Sequence, residues 1–98
     1  MIMDNNLDQF QKNIVLPELK DSIETAYSFF HQKRNVYIHS SLQWQRDDIE
    51  WAVASYVEGM NPILLSIISC GRPDFLLDHL HFNDDIASAV DRLEALLL

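Results

Sequence analysis

The sequence predicts an all-α protein, a compact bundle of about five to six short helices in one domain over residues 1–98. Three observations predict it. Apolar residues recur at three- and four-residue spacing through most of the chain. Asparagine, proline and glycine fall at the places where helices start and stop. With two glycines and three prolines, the chain is short of the tight turns that a β-sandwich or barrel needs.

The elements follow in order. Asn6 can cap a first helix in which Leu7, Phe10 and Ile14 share a face. Pro17 disfavours helical backbone at Leu16 and suits the first turn of a second helix, with Glu18 and Asp21 at its positive end. Leu19, Ile23, Ala26, Tyr27 and Phe30 form that helix's stripe, and "HQKR" brings positive charge to its far end. The segment "NVYIH", residues 35–39, alternates like a strand. A lone strand has nothing to pair with, so it reads as an extended connector or as more helix. The third helix starts either beyond Ser40, with Gln43 completing a capping box, or at Asp47, and it stops at Gly59.

"MNPILLSIISCG" offers Asn61 as cap, Pro62 at the first helical position and Gly71 as stop. Being apolar nearly all round, it is expected at the buried centre. "GRPDFLLDHLHF" repeats the device with Pro73, which predicts a fifth helix. The last helix has Asn83 as cap, Asp84 and Asp85 in its first turn, and a core stripe of Ile86, Ala89, Val90, Leu93, Leu96 and Leu97. Short helices separated by Gly-Pro signals also suggest a small α-solenoid.

Seven basic residues stand against fifteen acidic ones, a net charge of -8. Such a chain repels phosphate backbones, which argues against direct nucleic-acid binding. It leaves two readings, a surface charged for solubility or an acidic face that meets a basic partner. A single cysteine, Cys70, cannot form an internal disulfide, and "MIMDNNLDQF" lacks the basic start and apolar run of a secretory signal. No stretch is long and apolar enough for a membrane span. The expectation is a cytoplasmic protein without a cofactor.

The third helix carries the most informative pattern. With Ile49 at zero on a helical wheel, Ala52, Val53, Tyr56 and Val57 lie within about 80° of it. Trp51 and Trp44 fall near about 200° and 220°, almost opposite. Asp47, Asp48, Glu50 and Glu58, with Ser55, give that side an acidic rim. Either the indoles pack beneath a neighbouring segment, as large aromatics in a small domain usually do, or they anchor a partner at an exposed patch.

"RNVYIH" places Arg34, Asn35 and His39 as R-N-x-x-x-H. This resembles the motif of the HEPN ribonucleases, a family of small all-helical proteins. The resemblance implies metal-independent RNA cleavage, with Arg34 and His39 brought together across a dimer. Arg could stabilise a pentavalent phosphate while His moves a proton. The motif lies early in this chain and is followed by Ser40 and Ser41, whereas the family commonly carries it in a late helix before an aromatic residue.

In "DHLHF", His79 and His81 stand two apart, so a helix would turn them to different faces, and only Asp74, Asp78 and His81 could share one. No Cys/His quartet exists, and no metal site is expected. Phosphate loops and nucleophile elbows are absent.

The sequence therefore favours a non-enzymatic, acidic module that binds another protein and occludes a basic and apolar surface of it. Inhibitors, immunity proteins, antitoxins, phage counter-defence proteins and small chaperones share this profile. A nucleic-acid mimic is a narrower version, and the ribonuclease is the alternative from another class. The apolar end "LEALLL" adds the expectation of a homodimer contact.

Overall fold

A computed structural model describes residues 19–98, and the first expected helix lies outside them. Four α-helices follow: α1, Lys20–His39; α2, Gln43–Gly59; α3, Pro62–Ser69; and α4, Phe82–Leu97. A short 3-10 turn, His79–His81, precedes α4, and no strand occurs among the described residues.

Helix α1 is the central rod. Its Ile23, Ala26 and Phe30 are buried, repeating at three- and four-residue spacing as an inward stripe must. "NVYIH" continues this helix to its end, because Tyr37 has a ring partner in Phe82 of α4, 4.8 Å between centroids. At the other end of the same pair, the Tyr27 hydroxyl donates to Glu94 at 3.1 Å, so α1 and α4 run antiparallel. Helix α2 is likewise antiparallel to α1. Phe29 stacks on Tyr56 at 4.0 Å and Phe30 meets Tyr56 edge-on at 5.4 Å, while Tyr37 reaches Glu50 at the opposite end. Ile49, Val53 and Val57 are the buried stripe of α2, and Ile86, Ala89, Val90 and Leu93 that of α4.

Three expectations about elements need correction. Since α4 returns to pack on α1, far back in sequence, the helices do not stack only on their neighbours and the arrangement is no solenoid. Helix α3 is peripheral, with Leu64 and Ile68 buried but Ile63 exposed; at eight residues it is too short to be surrounded. The expected fifth helix is instead a run of turns. Leu76 sits at φ 65° and its N–H donates to the Asp85 carboxylate at 3.0 Å, which no helical backbone would allow.

The caps divide similarly. Asn61 accepts from the N–H groups of Ile63 and Leu64, with Pro62 at the first turn, as the sequence indicates. Cys70 and Gly71 then turn left-handed at φ 52° and 81°, the terminator that favours glycine. Neither offered start for α2 is used: Leu42 precedes its first residue, Gln43, with no side-chain cap. Helix α4 starts one residue before Asn83. Asp85 does more than complement a dipole. It is 2% exposed and receives Arg72 Nη1 at 2.7 Å and Nη2 at 3.2 Å besides the Leu76 N–H. This carboxylate fastens the 70–78 segment to α4. Arg92 does the same for α3, its guanidinium donating to the Ile68 carbonyl.

Candidate interaction surface

Helix α2 buries one side against α1 and leaves the other open, and the two tryptophans stand on the open side. Trp44 is 61% exposed and Trp51 is 74% exposed. Seven residues is nearly two helical turns, so the indoles lie about 20° apart around the axis and about 10 Å apart along it. Asp47, Asp48, Ser55 and Glu58 are exposed beside them. The Asp47 carboxylate accepts from the Gln43 amide at 2.9 Å.

Glu50 is placed differently from its neighbours. About 100° round from Ile49, it borders the buried arc, and its side chain is only 16% exposed. It accepts from the Tyr37 hydroxyl at 2.9 Å and from His79 Nδ1 at 2.8 and 3.0 Å. Two donors from within the chain thus occupy the carboxylate expected at the rim. Burial and then the Glu50 carboxylate push the Tyr37 hydroxyl up to about 12. The hydrogen bond to Glu50 raises His79 above its ordinary value.

This Tyr37–Glu50–His79 network has no local signature. Glu50 lies thirteen residues from Tyr37 and 29 from His79, and only its wheel position beside the buried arc hinted at it. Two open grooves are lined partly by α2, and neither tryptophan borders them. One, about 420 Å³, lies between the start of α1 and the end of α2, over Ala26, Tyr56, Met60 and Leu64. The other, about 440 Å³, is lined by Tyr37, Ile38, Gln43, Arg46, His79, Leu80 and Asn83.

The Arg34–Asn35–His39 motif occupies the last turns of α1. Arg34 is half-buried and His39 exposed, with His39 Nδ1 donating to the Asn35 carbonyl at 2.7 Å. Five residues of helix turn the two side chains about 140° apart, so within one chain they diverge. In "DHLHF", Asp78 bonds His81 at 2.6 Å and Asp74 bonds Arg72 at 3.3 Å. The Asp78 contact raises His81, while His81 and the Leu80 N–H hold Asp78 below its ordinary value. No three His, Cys, Asp or Glu side chains converge among the described residues. No described helix is long and apolar enough to cross a membrane.

No protein-family profile, curated protein or solved structure matches the chain.

Proposed function

We propose that the protein is a non-enzymatic binding module that docks the tryptophan side of α2 onto another protein and covers a basic and apolar surface there. The observation that carries this reading is the joint exposure of Trp44 and Trp51, at 61% and 74%. Two large aromatics on one open helix side are anchors of the kind that dominate protein interfaces. Asp47, Asp48 and Glu58 supply the rim, and the net charge of -8 adds a field that draws a cationic partner in. Glu50 is no part of this rim, since Tyr37 and His79 engage it.

The test is affinity capture from the host, comparing the natural chain with Trp51→Glu. A specific partner should be retained by the first and lost by the second. Its association rate should then fall about tenfold or more between low and high salt, the mark of a steered encounter. Capture of the same proteins by both chains would overturn the assignment.

A further inference from the structure

Leu80 is 85% exposed, yet the turn that presents it is tied by hydrogen bonds on both sides. Its N–H donates to Asp78 Oδ1 at 3.0 Å, His81 Nδ1 bonds the other oxygen of Asp78 at 2.6 Å, and the His81 N–H closes on the Asp78 carbonyl at 3.1 Å. On the opposite flank His79 is bound to Glu50, itself held by Tyr37. A 3-10 turn fixed on both sides thus holds a leucine out into solvent, although nothing in the fold needs that residue there. Exposed apolar groups on preorganised backbone suit docking, because little ordering entropy remains to be lost.

The same turn forms one wall of the 440 Å³ groove, whose other walls carry Ile38, 52% exposed, with Tyr37, Arg46 and Gln43. A projecting leucine and a recess with an aliphatic edge therefore lie side by side on one patch. A two-fold contact requires such an arrangement, in which one surface offers both halves of the fit. Charge points the same way. The net charge of -8 would repel a second copy, but on this patch the carboxylates of Glu50 and Asp78 are bonded to imidazoles. Arg46, whose Nη1 donates to the Ser40 carbonyl at 3.1 Å, lines the groove one residue from the exposed Asp47, so its remaining N–H groups and that carboxylate offer a second copy a cation and an anion together.

We propose that this patch is a self-association surface, with Leu80 of each copy seated in the Ile38–Arg46 groove of the other and Arg46 facing Asp47 across the two-fold axis. The contact meets the tryptophan surface at Asp47 but uses neither indole, so it does not depend on the partner assigned to that surface. It is also distinct from the apolar C-terminal end, where Leu93 is already buried and Leu96 partly so.

Sedimentation velocity from about 5 to 500 µM tests it, since a small contact of this kind gives a dissociation constant on the order of 10–100 µM. The natural chain should pass from monomer to dimer across that range. Leu80→Ala should weaken the dimer at least tenfold, and Leu80→Asp should leave only monomer. Trp51→Glu and Leu98→Asp should leave the dimer intact. Leu80 lies outside the core, so the variants should keep the natural circular dichroism and melting temperature, which shows that any loss is one of association. A natural chain that stays monomeric throughout would overturn the proposal, as would a dimer that survives Leu80→Asp or dissolves with Trp51→Glu or Leu98→Asp.

Discussion

Replacing Asp85 by alanine isolates what holds the helix-free segment 70–78 to the bundle. The side chain is 2% exposed and accepts three hydrogen bonds, two from Arg72 and one from the N–H of Leu76. Its removal strands the buried Leu76 donor, a loss of about 1–3 kcal/mol. It also ends the charge-assisted bonding of a buried carboxylate, about 1.5–3 kcal/mol. Arg72 is partly exposed and can turn to water, so the two losses combine near their lower ends, at about 3 kcal/mol. Leu76 adds leverage, because its φ of 65° is unfavourable for leucine and persists only while its surroundings impose it. Urea unfolding followed by far-ultraviolet circular dichroism is the assay. The midpoint should drop with an unchanged slope, and the melting temperature should fall by about 12–24 °C. Asp85→Asn keeps an acceptor for Leu76 and should cost distinctly less. A loss below about 1 kcal/mol for alanine, or equal losses for both variants, would refute the reasoning.

Phe30 is fully buried and meets both Phe29 and Tyr56 edge-on, so Phe30→Ala should destabilise by about 3–5 kcal/mol, measured by the same unfolding curve. Tyr37→Phe should lose about 1 kcal/mol with the hydrogen bond to Glu50, and ultraviolet titration of the natural chain should show one phenol ionising near 12. Glu50 raises His79, so the stability from that pair is fully present below the imidazole's unfolded value. It is lost as pH rises through the higher folded one. The melting temperature of the natural chain minus that of Glu50→Gln should therefore shrink as pH rises from the imidazole's unfolded value through the higher folded one. Asp78 is lowered, so its share is present above the unfolded carboxyl value and disappears as acid takes pH down through the folded one. His81→Ala should narrow that acid-side loss.

Local chemistry made much of this fold readable. The Asn61–Pro62 start and the Cys70–Gly71 stop of α3 depend on neighbouring residues alone, and both stand where the sequence indicates. The stripes of α1, α2 and α4 were equally legible, except that Leu97, counted in the α4 stripe, is exposed at the helix end; the separation of Trp44 and Trp51 from their helix's apolar arc was legible too. What escaped was non-local. Asp85 in a first turn looks the same whether it serves a dipole or an arginine thirteen residues away. Pro73 looked like a helix start, but Leu76 turns to φ 65° and gives its N–H to Asp85, nine residues on, a bond that no local pattern announces. Glu50 was counted with the exposed acids because wheel angle alone does not reveal a tyrosine and a histidine arriving from other elements.

The antiparallel pairing of α1 with α4 has a consequence for synthesis in the cell. The central rod emerges from the ribosome well before the residues that close its second side, Ile86 to Leu93, the first of which lies 47 residues beyond His39. Until they clear the exit tunnel, α1 and α2 can form a hairpin whose remaining apolar side stays open to nascent-chain chaperones. Consolidation of this core must therefore wait until Ile86 to Leu93 have left the tunnel.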